Sequence, residues 1–406
     1  MSRLSRTELA HLSAAIAVST AAQLERIVAM LDALPDRGEA DRVLDAARGR
    51  LRALRPVRPL NLTRLIFLPL DGAIVAPGSW RPEDGRVPRN ALTPLAGAVA
   101  AGLGARCREV TAQLSGLSLD DQPAVIGLGA QIWEDGAAVL ALLAGTGRVP
   151  PGWTEAGLRP EQFQPLAALC AAVLAHGVAI QRAVAAGRDG PPEALARQAL
   201  RLVAPAGREA FGAVLATLLR TASRPGALSA LATAISPAAG RMADSALEAA
   251  LEARLPDIPS LSPQALPASI ENLRDLLDDA ASATAGRGPD WRKRLEGWRH
   301  GADLACRAAY AAHGREQVLA PAERLARGAV SDGEAALLEE QALALRRFEL
   351  AARTLGGEGA YDASRRALLD RLRQLAREGG PATRVEMSRL AEILGGAEAG
   401  MALLAD

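Results

Sequence analysis

Lysine and aromatic residues are scarce in this chain. Lysine occurs once, at Lys293, and aromatic residues make up 3% of the sequence. A P-loop needs its lysine at the end of a glycine-framed loop, and a protein kinase needs one on a strand. Lys293 lies in Trp-Arg-Lys-Arg-Leu, with no glycine-rich loop before it. The sequence therefore excludes both nucleotide-binding classes, and the shortage of aromatic residues argues against sandwiches and barrels.

Cysteine and histidine are also few, and their spacing matches no metal or catalytic motif. The three cysteines, Cys107, Cys170 and Cys306, form no C-x-x-C pair, which excludes zinc fingers, thioredoxin motifs and a disulfide framework. We predict that all three are buried as small apolar residues. The sequence has no H-E-x-x-H and no G-x-S-x-G motif. It therefore predicts no cofactor, no metal and no catalytic residue from a recognised motif.

The charges of the chain are balanced. Lysine and arginine number 47 and acidic residues 46, which leaves a net charge of +1 and argues against a globally basic nucleic-acid binder. Positive charge carried almost entirely by arginine, together with abundant alanine, indicates a GC-rich bacterial genome. Ser5 and Glu8 have the spacing of a capping box, so we interpret the apolar run that follows as a helix rather than a signal peptide. We predict a cytoplasmic protein.

Apolar residues make up 49% of the chain, and many are alanine and leucine at helical spacing. We predict an all-α fold of about a dozen helices, in two or three packed bundles or an irregular helical solenoid. Proline and glycine clusters near 145–160 and 256–267 are typical of breaks between domains. The predicted domains are 1–149 with an irregular loop at 71–90, 150–258 and 259–406.

Helix start and stop signals recur along the sequence. From residue 93 onward, the predicted helices lie near 93–114, 122–143, 161–186, 192–203, 207–222, 226–235, 242–254, 269–284, 290–312, 315–328, 332–355, 360–378 and 384–403. Leu65–Leu70 and Ala73–Val75 are strand-like, and a short hairpin is possible there. Residues 163–181 are uncharged and near membrane-spanning length, but their alanine, glutamine and histidine content favours a buried core helix over a membrane span.

An arginine-rich segment, residues 48–70, is the first candidate binding surface. It contains no acidic residue and ends in the apolar run Leu65–Leu70. Arginines beside apolar side chains suit an anionic membrane surface or a partner protein better than DNA. The alternative is a solvated helix face with the apolar run in the core. The candidate residues are Arg50, Arg52, Arg55, Arg58, Arg64 and Phe67.

A second candidate surface surrounds Trp291 and Trp298. The two tryptophans are seven residues apart, so they share a helix face, and tryptophan with arginine is typical of interaction hot spots. Glu296, His300 and Asp303 also have helical spacing and suggest a possible acid–base or metal site. No second helix offers matching ligands, so a salt-bridged surface histidine is the alternative.

The irregular loop at 71–90 is the third candidate, because long loops in compact domains are often binding loops. An exposed Trp80 favours a binding role, whereas a buried Trp80 would only pin the loop. Taken together, these observations favour a non-catalytic scaffold or adaptor protein of a bacterial cytoplasm, with a protein partner. The alternatives are a peripheral membrane or anionic-surface binder acting through residues 48–70, and a helical enzyme that uses Glu296, His300 and Asp303. Nucleic acid is not an expected partner.

Overall fold

The computed structural model describes residues 60–81, 84–119, 121–189, 193–328 and 332–405. The all-α prediction is confirmed, because helices packed against one another make up most of the described residues. By their contacts, Asn61–Gln113 and Gln122–Asp406 form one compact unit. All the features described below belong to this unit. The division into three domains stays a prediction.

The unit begins with short elements rather than long helices. Asn61 caps α1, Leu62–Ile66, by accepting a hydrogen bond from the backbone N–H of Arg64 at 2.8 Å. A 3₁₀ helix, Leu68–Ala73, follows, and then β1, Ile74–Val75, which pairs in parallel with β2, Val87–Pro88. The strand-like interpretation of Leu65–Leu70 is therefore wrong, whereas that of Ala73–Val75 is confirmed at Ile74–Val75. The two short strands form a parallel bridge and not a hairpin.

Helices occupy most of the remaining chain. The first group is α2 (Leu92–Leu103), α3 (Ala105–Gln113), α4 (Gln122–Ala130), α5 (Trp133–Thr146), α6 (Phe163–Leu174) and α7 (Gly177–Asp189). The second is α8 (Glu193–Val203), α9 (Arg208–Thr221), α10 (Pro225–Ile235), α11 (Gly240–Glu252) and α12 (Leu266–Thr284). The third is α13 (Pro289–His313), α14 (Ala320–Arg327), α15 (Asp332–Arg353), α16 (Glu358–Glu378), α17 (Pro381–Gly395) and α18 (Ala397–Ala405). A π-helical turn, Gly314–Leu319, joins α13 to α14.

Several predicted helices are each broken in two. The predicted helix 93–114 divides at Gly104 and the predicted helix 384–403 divides at Gly396, with φ of 51° and 92°. Those angles lie in the left-handed region, which glycine adopts without a steric cost and which ends an α-helix. The predicted helices 122–143 and 161–186 also divide, into α4 with α5 and α6 with α7.

Burial of the segment after α1 organises the first half of the unit. Phe67 and its apolar neighbours lie in the core. Trp133 donates its indole N–H to the Leu65 carbonyl oxygen at 2.9 Å, and Gln181 donates to the Leu68 carbonyl oxygen at 2.9 Å. Each bond gives a buried backbone carbonyl group a side-chain donor. The apolar run is therefore a core element held by side chains of α5 and α7.

Among the described residues, no single helix is long and apolar enough to cross a membrane. Two helix pairs meet the length and composition criteria only when taken together, and each is bent, by 45° for α4 with α5 and by 66° for residues 160–174 with 177–187. The segment 163–181 thus divides between α6 and α7.

The three cysteines are free and buried, as predicted. Burial raises the pKa of the Cys170 thiol to about 12 and that of the Cys306 thiol to about 12. Thiolates are the reactive form of cysteine, and burial in apolar surroundings suppresses them. The surroundings of these cysteines are therefore those of buried apolar residues that fill the core.

A buried ionic network lies among α13, α15 and α16. Glu349 of α15 is 0% exposed. Its carboxylate accepts hydrogen bonds from Arg346 at 2.8 Å, from Arg353 at 2.7 Å and from Arg365 of α16 at 3.3 Å. Tyr310 of α13 donates its hydroxyl to the same carboxylate at 3.3 Å. The network joins three helices through one buried charge.

Candidate protein-docking groove

The structure describes only part of the arginine-rich segment. Arg50, Arg52, Arg55 and Arg58 lie outside the described residues. Arg64 is partly exposed on α1. Phe67 is 1% exposed, so its ring packs in the core and is not accessible to a partner in this structure. The apolar half of this candidate surface is therefore interior.

Trp80 is pinned within its loop. Its indole N–H donates to the carbonyl oxygen of Arg86 at 2.9 Å, and the ring is partly exposed. Arg86 in turn donates to the Gly72 carbonyl oxygen at 2.9 Å, and burial lowers the pKa of its guanidinium. The bond from Arg86 thus fastens the loop to the 3₁₀ helix before it, and the bond from Trp80 closes the loop on itself.

The predicted acid–base residues of α13 do not converge. Glu296 and His300 are exposed. Asp303 is 3% exposed and pairs with Arg307, which donates from Nε at 3.0 Å. No cluster of three or more histidine, cysteine or acidic side chains suited to a metal ion occurs among the described residues. Helical spacing alone placed Asp303 beside His300, whereas packing against the later helices turns the carboxylate inward.

The two tryptophans of α13 have different environments. Trp291 is 5% exposed, and the guanidinium of Arg294 lies 5.9 Å from its ring centroid. Trp298 is partly exposed. Trp291 is therefore a core anchor whose ring is closed to partners, and Trp298 keeps part of its ring at the surface.

Next to this tryptophan segment, a groove of about 300 Å³ lies between α12 and α13. We call it the α12–α13 groove. Leu277 and Ala281 of α12 and Leu295 of α13 form its apolar floor. Arg292, Glu296 and Arg299 of α13 line it with charged groups, and Thr284, Ala285 and Gly288 complete the lining.

Local sequence explains why these side chains share one groove. Positions 277, 281 and 285 recur at the four-residue spacing that lines one face of α12, and 292, 295, 296 and 299 do the same on α13. Gly288 turns the chain between the helices with a φ of 101°, and Pro289 then occupies the first turn of α13. Leu277 and Leu295 are buried, whereas Ala281 and Ala285 are exposed.

The charges of the groove are only partly neutralised. Arg299 donates to Oδ1 of Asp278 at 2.6 Å. Among the described residues, Arg292 and Glu296 form no hydrogen bond or ion pair through their side chains. Lys293 follows Arg292 and is exposed. The groove therefore combines an apolar floor with a rim on which one arginine and one glutamate keep their full bonding capacity.

Sequence reasoning identified half of this groove and missed the other half. The sequence predicts a binding surface at the basic, tryptophan-containing start of α13, and it marks Glu296 for a different reason, as a possible acid–base residue. The α12 side depends on two small exposed residues, Ala281 and Ala285, whose only sequence signal is alanine at four-residue spacing. Alanine is too common in this chain for that signal to be distinctive.

Comparisons with protein-family models, with curated proteins and with solved structures find no match to this chain.

Proposed function

We propose that the chain is a non-catalytic adaptor of a bacterial cytoplasm, and that the α12–α13 groove binds an acidic amphipathic helix of a partner protein. The observation that carries the proposal is the combination of an apolar floor with an unpaired Arg292 at its edge. Grooves between two helices are a common binding surface for a third, amphipathic helix.

The shape of the groove favours a helical partner. Small residues at Ala281, Ala285 and Gly288 keep side-chain bulk out of the space between α12 and α13. Helices that pack through small residues approach closely, and ridges of the incoming helix then fit between those of the other two. Leu277 and Leu295 offer apolar contact at the bottom.

The charge of the rim favours an acidic partner. Arg292 is unpaired and Lys293 adds a second exposed cation nearby. Arginine in an interface pairs with carboxylates through bidentate hydrogen bonds. Glu296 requires one basic residue on the partner, because a carboxylate left unpaired in a buried interface is unfavourable. A single basic residue among the acidic residues of the partner helix would fix the register of that helix in the groove by pairing with Glu296.

The buried position of Phe67 and its apolar neighbours supports this proposal over membrane binding through residues 48–70. The proposal is also better supported than the enzyme alternative, because Asp303 is buried whereas His300 and Glu296 are exposed. Neither alternative gains a supporting contact from the described residues.

Site-specific photo-crosslinking in the native cytoplasm tests the proposal. A photoreactive residue replaces Ala281 in the groove or, as a control, Ala268, an exposed alanine in the first turn of the same helix. We expect one partner to crosslink from position 281 and not from 268, and the attached peptide to be an acidic amphipathic helix. Equal crosslinking from both positions, or a crosslinked peptide without that pattern, would contradict the proposal.

Two substitutions refine the experiment. Arg292→Glu should weaken capture of the partner because it places two acidic surfaces against each other. The matched control is Arg241→Glu, which reverses another exposed arginine that has no side-chain partner among the described residues. Loss of the crosslink in both variants would show that overall charge, and not the groove, governs binding.

A further inference from the structure

A second cleft lies far along the sequence from the groove, at the break between α6 and α7. The two helices are bent by 66°, and a cleft of about 290 Å³ opens beside the bend. We call it the His176 cleft. Its lining includes Trp133, Glu134, His176, Gly177, Arg182 and Gln198.

The floor of the His176 cleft is held in a fixed position. Trp133 is buried, and its indole N–H is bound to the Leu65 carbonyl oxygen. Its ring packs between Gly129 and Gly177, where a Cβ atom on either glycine would overlap the ring atoms. Glycine is therefore required at the start of α7 so that the chain can pass over the indole. The cleft is consequently a preformed part of the packing.

The polar side chains of the His176 cleft have unused bonding capacity. Among the described residues, Glu134, His176, Arg182 and Gln198 form no side-chain hydrogen bond or ion pair. His176 is half-buried, and the other three are exposed at the edges. Convergent polar groups beside an apolar lining, here Val178 and Leu195, are the usual composition of a small-molecule site.

A larger cleft elsewhere in the unit shows the opposite arrangement. It measures about 640 Å³ and lies between α12 and the segments that follow α9 and α11. Arg224 there donates to Asp279 at 3.2 Å, and Arg254 donates to the carbonyl oxygens of Ala222 at 2.7 Å and Leu219 at 2.6 Å. Its charged groups are satisfied within the fold. Size alone therefore does not select a site, and the unpaired charges distinguish the His176 cleft from this larger one.

We infer that the His176 cleft binds a small zwitterionic metabolite of the α-amino-acid type. Glu134 and Arg182 carry opposite charges, line one cleft and form no ion pair with each other. A ligand with an ammonium group and a carboxylate, a few ångströms apart, complements both. Arg182 suits the carboxylate because its guanidinium donates two parallel hydrogen bonds. Glu134 then accepts from the ammonium group.

The remaining groups limit the size of the ligand and add contacts to it. A volume of about 290 Å³ is at the lower end of the range of about 300–1,000 Å³ that ligand sites occupy, which favours a molecule of amino-acid size. The imidazole of His176 and the amide of Gln198 can each donate or accept a hydrogen bond. Val178 and Leu195, which are partly exposed in the lining, supply apolar contacts for the ligand's side chain.

Isothermal titration of the full-length protein with individual proteinogenic amino acids tests the inference. We expect at least one to bind with a Kd at or below about 1 mM. Two derivatives of that amino acid are the control ligands. The N-acetyl derivative lacks the ammonium charge, and the methyl ester lacks the carboxylate. Each should bind at least about tenfold more weakly, because each loses one charge-assisted contact.

Substitutions at the exposed edges of the cleft assign the binding to it without disturbing the core. Glu134→Gln and Arg182→Gln should each weaken binding of the amino acid at least about tenfold. Arg201→Gln is the control, since Arg201 is an exposed arginine on α8 outside the cleft. Circular dichroism of each variant establishes that the helices are retained. The imidazole signals of His176, assigned with His176→Gln, should shift on titration.

Three results would overturn the inference. The first is no binding of any proteinogenic amino acid. The second is equal binding of the N-acetyl derivative, which would indicate a site for simple carboxylates. The third is binding that Glu134→Gln and Arg182→Gln leave unchanged, which would place the ligand elsewhere. The inference is independent of the docking proposal, because α12 and α13 contribute no residue to this cleft.

Discussion

Replacement of Glu349 by glutamine is the most direct test of what holds the last helices together. The substitution keeps the shape of the side chain and removes its charge. In the native protein this carboxylate is fully buried and receives bonds from Arg346, Arg353, Arg365 and Tyr310. After the change, an amide nitrogen faces donors that need an acceptor. We therefore expect Glu349→Gln to lower the free energy of unfolding.

The structure sets the size of that effect. Loss of one partner of a buried ion pair costs about 3–5 kcal/mol when the remaining charge has no other contact. Here the three arginine side chains are 27%, 20% and 26% exposed, so solvent compensates part of their charge. Asp362 also stays bound to Arg365 at 3.0 Å. Hydrogen bonds to charged groups contribute about 1.5–3 kcal/mol, and we expect a loss of about 2–3 kcal/mol.

Urea unfolding followed by circular dichroism measures the loss. Glu340→Gln is the matched control, because Glu340 is an exposed glutamate on the same helix and should change stability by less than about 0.5 kcal/mol. The effect of Glu349→Gln should persist in high salt, since buried charges are poorly screened. A change of less than about 0.5 kcal/mol at low and high salt would refute the stabilising role of the network.

Three further predictions concern packing, pH and thiol chemistry. Gly72→Ala should lower the free energy of unfolding in urea by about 2–3 kcal/mol, because a Cβ atom there would overlap the Ala216 carbonyl group. Gly78→Ala is the control and should be nearly neutral, because Gly78 has open space around it. Burial lowers the pKa of His313. Its neutral ring therefore stabilises the fold above the unfolded pKa of about 6.5, and that contribution is lost as pH falls through the folded value. His313→Gln should therefore reduce the loss of stability on acidification, whereas His300→Gln, at an exposed position, should not. Equal pH dependence of the free energy of unfolding for wild type and His313→Gln would contradict this prediction. All three thiols should react with a thiol reagent only after denaturation, and rapid reaction of the native protein would show that the cysteines are accessible.

The helical class and many helix boundaries could be predicted from local sequence. Capping residues, prolines and glycines are local signals, because they act on the backbone within a turn. The predicted helix 207–222 corresponds to Arg208–Thr221, and the predicted helix 290–312 to Pro289–His313. The breaks within longer predicted helices were less visible, because the break before Gly177 lies where Trp133, more than forty residues earlier, packs against the chain.

The strand-like interpretation of Leu65–Leu70 failed for a related reason. A short apolar run fits a buried strand and a buried helical turn equally well, and its periodicity does not separate them. The choice followed from side chains far along the sequence, since Trp133 and Gln181 bind the carbonyl groups of this segment. Such pairs leave no trace in a local pattern.

Composition and residue spacing are enough to predict the helical class and the burial of the cysteines and to exclude motif-based chemistry, because these properties follow from local sequence. Which charged groups become buried depends on tertiary packing. Helical spacing puts Asp303 near His300 and Arg307 alike, but packing buries Asp303 and leaves His300 exposed. Glu349 looked like one glutamate among many until α13, α15 and α16 enclosed it. Burial depends on contacts between distant segments, and those contacts exist only once the chain has folded.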